Sequence, residues 1–93
     1  MHFSVRWPDG TESRCYSPSL AVCEHLEPGT SYPLAEFVAR SREALTIASE
    51  RVRQRYGFAC SRALGQLEAI ERQAQGFAGA GSVSVLAFHR DPA

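Results

Sequence analysis

The stretch from Pro33 to Tyr56, PLAEFVARSREALTIASERVRQRY, decides how the chain folds. Leu34, Phe37, Val38, Ser41, Leu45, Ala48, Val52 and Tyr56 recur at helical spacing, which puts them on one stripe of a helix that has to be covered by something else. At about 1.5 Å per residue this helix is roughly 35 Å long. Glu36 and Arg40 make a favourably oriented i,i+4 pair, and Gly57 followed by apolar Phe58 matches a glycine-terminated helix end.

Just downstream, Ser61 to about Gln75 predicts a second helix, with Leu64, Leu67, Ile70 and Ala74 inward and a Glu68 to Arg72 pair outside. The turn between the two is short, which predicts an antiparallel helical hairpin. Upstream, Phe3, Val5 and Trp7 alternate with His2, Ser4 and Arg6, the period of a half-buried strand. Pro8-Asp9-Gly10 is a turn signature, so residues 11–16 return antiparallel as a β-hairpin. Cys15 and Ser13 then share one face, and Arg14 and Tyr16 the other. Ser17-Pro18 fits a helix cap followed by proline at the first helical position, and Leu20, Cys23 or Glu24, and Leu26 then form a short helix ended by Pro28-Gly29. A strand continuing through Leu20 to Val22 fits nearly as well. Residues 76–81 read as a flexible linker. Ser82 to His89 has strand composition, with Val83, Val85 and Ala87 alternating against Ser84, Leu86 and Phe88, and its two apolar faces predict a central or covered position.

The expected architecture is a single α+β domain over residues 1–93: a β-hairpin, an antiparallel helical hairpin and a C-terminal strand. They build a three-stranded sheet with the helices packed on one face. The order of the strands stays open, the last being free to sit beside the first.

Composition narrows the function classes. The chain has 93 residues, 44% hydrophobic and 22% charged, and its ten basic and ten acidic side chains cancel. There is no global pull toward nucleic acid or an anionic membrane. No apolar run approaches a membrane span, and no basic region followed by an apolar stretch opens the chain, which predicts a cytoplasmic protein. Three cysteines at irregular spacing read as free thiols. No cofactor motif is present: there is no Gly-x-Gly-x-x-Gly cradle and no Gly-x-Ser-x-Gly elbow. Cys23-x-His25 lacks a second ligand pair, so no metal site is expected.

Three constellations remain as candidates. Cys60, at the start of a helix and beside Arg62, is placed where a thiolate is favoured, and Cys15 is the second candidate thiol. The structural alternative is that both fill gaps between the helices and the sheet. Arg51 and Arg55 are i,i+4 neighbours able to present two guanidinium forks to one phosphate or carboxylate, with Arg53 on the opposite side of the helix. Their plainer role is to complement the helix dipole. Combining the two, Ser61 and Arg62 at the next helix N-terminus, with Arg51 and Arg55, form a candidate anion site. Tyr16, Leu86 and Phe88 form a candidate partner surface on the sheet face away from the helices, open unless a homodimer covers it.

Cys15-Tyr16-Ser17-Pro18-Ser19 and Tyr56-Gly57-Phe58-Ala59-Cys60-Ser61-Arg62-Ala63, with Trp7-Pro8-Asp9-Gly10 and Tyr32-Pro33-Leu34-Ala35-Glu36-Phe37, carry a further reading. Over residues 2–77 the chain resembles a small bacterial family named for a nitrogen starvation response. The resemblance implies a gene cluster linked to nitrogen limitation that also encodes a nitrilase, a radical-SAM protein, an N-acetyltransferase and a flavin-dependent oxidoreductase. It carries over no catalytic residues. The resulting expectation is a non-catalytic accessory or interaction protein for an enzyme of that cluster. A small thiol-dependent enzyme or anionic-ligand carrier is the alternative, and a nucleic-acid-binding regulator the third.

Overall fold

The computed structural model describes residues 1–58, 60–77 and 80–89. Strands β1 (His2–Arg6) and β2 (Glu12–Tyr16) are followed by the short helix α1 (Val22–His25) and by strand β3 (Ser31–Pro33). The long helix α2 (Leu34–Tyr56), helix α3 (Ser61–Gln75) and strand β4 (Ser82–His89) complete the order. The class is α+β, and the sheet has four strands in the order β2-β1-β4-β3, every neighbour antiparallel. The fourth strand, β3, was not expected from the sequence. It pairs only Ser31, Tyr32 and Pro33 with Ser84, Val83 and Ser82, too short a run for an alternation to register.

The hairpin forms as its turn dictates. Gly10 takes a φ of 87° and donates to the Trp7 carbonyl, while the Asp9 carboxylate accepts from both the backbone and the hydroxyl of Thr11. Those bonds favour the ionised carboxylate and hold Asp9 below its usual pKa. Phe3, Val5, Trp7 and Cys15 are buried, as the alternation requires. Trp7 is the hub: Nε1 donates to Ser13 Oγ at 2.9 Å, the ring stands edge-on to Phe37, and Phe77 stacks on it with centroids 5.9 Å apart. Phe77 therefore belongs to the core, where a linker was expected; Ala78 and Gly79 of that segment lie outside the described residues.

The α2 stripe buries Leu34, Phe37, Ser41, Ala44, Leu45, Ala48 and Ser49. Beyond Ser49 no α2 side chain is buried, and Tyr56, the last residue of the predicted stripe, is exposed. Gly57 closes the helix at φ 85°, its N–H donating to the Arg53 carbonyl, a conformation open to glycine without strain. In α3 the inward row is Ala63, Leu67, Ile70 and Ala74, and Leu64, expected inside, is exposed. The core-facing row starts one residue earlier than its largest apolar side chain suggests, because small Ala63 is what fits against the core.

α1 starts at Val22, not at Ser17-Pro18. Ser17 is fully buried and builds the turn instead, its hydroxyl donating to the Ser19 carbonyl at 2.7 Å, while Ser19 Oγ accepts from the Ala21 N–H. Val22 and Leu26 drop into the core, and Arg40 clamps the segment from α2. Its guanidinium donates to the His25 carbonyl at 2.9 Å and lies 4.7 Å from the centre of the Tyr32 ring.

Candidate functional site

Two sequence segments meet at the end of the helical hairpin where α2 turns into α3. The turn after β2 contributes Pro18 and Ser19, and the last two turns of α2 contribute Arg51, Val52, Arg55 and Tyr56; together they line a cleft of about 260 Å³. Arg51 reaches Glu24 of α1 at 3.7 Å, a long ion pair between half-exposed groups. Arg55 lies 5.6 Å from the centre of the Tyr56 ring. Arg53 projects elsewhere and is held by Glu50 of its own helix.

On the other side of the turn, Cys60 precedes α3 and makes no side-chain cap, and the first turn of α3 holds no acidic residue. Ser61 and Arg62 are exposed. Arg62 does not join Arg51 and Arg55 in the cleft: its guanidinium lies 3.8 Å over the Tyr16 ring, while Gln66, one turn on, accepts from the Tyr16 N–H. Of the four residues of the expected anion site, the cleft thus collects Arg51 and Arg55. Sequence reasoning missed Pro18 and Ser19 as its other wall, because only the fold brings that turn against α2.

The charges around this end are unevenly matched. Arg6, Arg40, Arg42, Arg51, Arg53 and Arg72 each have a carboxylate partner. Among the described residues, Arg14, Arg55 and Arg62 have none. Arg55 and Arg62 flank the α2–α3 turn, and Arg14 sits two residues before Tyr16 on its strand. The exposed large apolar side chains gather at the same end: Leu20 beside Ser19, Tyr56 and Phe58 at the α2 terminus, and Leu64 in the first turns of α3.

The thiols differ in their surroundings. Cys15 is buried at the sheet–helix boundary, and desolvation pushes its pKa up to about 12, so at neutral pH it is a protonated, apolar filler. Cys60 is half-buried against the same core, and Cys23 contacts the Met1 sulfur at 3.8 Å. Among the described residues no three His, Cys, Asp or Glu side chains are grouped to hold a metal, and no helix is long and apolar enough to cross a membrane.

The matched segment is almost the whole chain. The model of the family described as nitrogen starvation-induced protein NitG matches residues 2–88. The chain belongs to this family. No curated protein and no solved structure matches it. Of the two segments that the sequence singles out, Pro18 and Ser19 from the first and Tyr56 from the second meet in the cleft.

The sheet face expected to receive a partner is built differently from the simple alternation. The β1–β4 register shifts between Ser4 and Val5, leaving Leu86 without a partner on β1. The parity of β4 reverses there. Phe88 comes opposite Phe3 and packs against the core, while Ala87 comes opposite Ser4. Leu86 is half-buried, and Tyr16 is engaged by Arg62 and stands edge-on to His2. Tyr16, Leu86 and Phe88 do not form one continuous apolar face.

Proposed function

We propose that this chain is a non-catalytic accessory protein of the nitrogen starvation response that docks a partner enzyme through the turn end of its helical hairpin. The observation that carries this reading is the coincidence of exposed Leu20, Tyr56, Phe58 and Leu64 with Arg55 and Arg62, guanidinium groups lacking carboxylate partners among the described residues. Apolar side chains ringed by arginine are the composition of an interaction hot spot. Charge complementarity selects the occupant: a partner segment carrying carboxylates beside apolar side chains. The gene cluster implied by the family supplies the partners to try.

The test mixes the purified chain with each of the four cluster enzymes in turn and measures association by calorimetry. One enzyme is expected to bind, a Phe58→Ser, Leu64→Gln double variant to lose binding by at least tenfold, and Leu86→Ser to keep it. The changed side chains of the double variant are exposed, and unchanged circular dichroism confirms that the fold survives. Binding by none of the enzymes, or binding lost in Leu86→Ser and retained in the double variant, overturns the proposal. Self-association that the double variant abolishes would assign the surface to a second copy and overturn it equally.

A further inference from the structure

We infer that the cleft between the Ser17–Ser19 turn and the end of α2 is a binding site for a small phosphate monoester carried on a flat apolar group. Arg51 and Arg55 stand one turn apart on the same side of α2 and line the cleft together. Two guanidinium forks at this spacing match the oxygens of a single phosphoryl group. Like charges at i,i+4 repel, and the only carboxylate paired with either among the described residues is Glu24, 3.7 Å from Arg51. One long, half-exposed ion pair leaves a net positive charge over, which favours an anion in the cleft; the two forks, one turn apart, favour the several oxygens of a phosphoryl group.

The remaining walls specify what the phosphate is attached to. Pro18, Val52 and the exposed Tyr56 ring are flat or apolar, and the Ser17 and Ser19 hydrogen bonds fix the turn that presents Pro18. At about 260 Å³ the cleft is just smaller than most ligand sites, which run roughly 300–1,000 Å³. That volume is room for a phosphoryl group and one ring. The cleft borders the docking surface and shares Arg55 and Tyr56 with it, whereas Phe58 and Leu64 take no part in the cleft.

The experiment follows the arginine side-chain and backbone amide resonances of the isotopically labelled full chain during titration with inorganic phosphate and with phenyl phosphate. Saturable shifts are expected at Ser19, Arg51, Val52, Arg55 and Tyr56, with phenyl phosphate binding several-fold more tightly. An Arg51→Gln, Arg55→Gln double variant should lose at least tenfold in affinity for both, Arg53→Gln should retain it, and Tyr56→Ala should lose only the advantage of the phenyl ring. Shifts that do not saturate, that spread evenly over all arginines, or that persist in the double variant overturn the site. Equal affinity for the two probes overturns its assignment to a ring-bearing ligand. The Phe58→Ser, Leu64→Gln variant should bind phenyl phosphate normally, so failure of docking and failure of this site are told apart.

Discussion

The Arg62 guanidinium lies 3.8 Å over the Tyr16 ring, joining the first turn of α3 to the last residue of β2. The contact draws Arg62 away from the cleft while leaving its charge without a carboxylate among the described residues, and it fixes the rim of the hairpin end. A cation over an aromatic face contributes about 0.5–1 kcal/mol at an exposed position. Arg62→Ala should lower the unfolding free energy measured in urea by that amount, Tyr16→Phe should leave it unchanged, and Tyr16→Leu should reproduce the loss. The fluorescence of buried Trp7, the single tryptophan, reports unfolding directly.

Cys15 gives the fold an alkaline limit. Its folded pKa of about 12 stands above the ordinary thiol value of 9.0. The unfolded chain therefore loses this proton first, and stability from this group is fully present below pH 9 and declines as pH rises toward 12. The slope in that window is about 1.4 kcal/mol per pH unit at most. Urea unfolding of Cys15→Ala between pH 8 and 11 should show a shallower decline than the parent chain. At pH 8, iodoacetamide should leave Cys15 unmodified in the folded protein and label it after unfolding.

Ser41 is 1% exposed on the core side of α2, and its hydroxyl has no hydrogen-bond partner among the described residues. An unsatisfied buried hydroxyl costs about 1–3 kcal/mol. Ser41→Ala should raise the unfolding free energy by about 1 kcal/mol after the small loss of packing is deducted. An unchanged or lowered midpoint would show that the hydroxyl is satisfied in solution.

Gly81 packs so closely against Pro8 that an added Cβ would stand 2.6 Å from the proline Cβ, and its φ is 88°. Gly81→Ala thus meets a ring that cannot rotate away and a backbone region alanine avoids, together more than about 1 kcal/mol. Gly57→Ala meets the positive φ without a steric neighbour. Thermal melts should rank Gly81→Ala as clearly the more destabilised of the two.

What the sequence disclosed divides along physical lines. β1, β2, α2 and α3 were legible because each repeats a period over enough residues, with Pro8-Asp9-Gly10 and Gly57 marking the breaks. β3 was not, because three residues ending in Pro33 carry no period, and their pairing to Val83 exists only once β4 is in place. Phe88 was assigned to the wrong face because an unpaired Leu86 reverses the alternation without any sequence mark. Phe77 was hidden by its small neighbours, and Leu64 by the rule that a large apolar residue goes inward. At the candidate site the Arg51 and Arg55 spacing could be read directly. The apposition of Pro18 and Ser19 could not, since more than thirty residues separate them from Arg51 along the chain.

The strand order also governs how this protein is made. β1 and β4 are the two inner strands, so residues 2–6 and 84–89 pair across nearly the full length of the chain. The chain must therefore emerge through residue 89 before the sheet can close, and Phe3 and Val5 wait for their β4 partners until then. Long-range pairing of this kind slows folding. Loss of residues 82–89 would remove one of the two inner strands, separate β3 from the rest of the sheet and leave Phe3 and Val5 without their cross-strand neighbours.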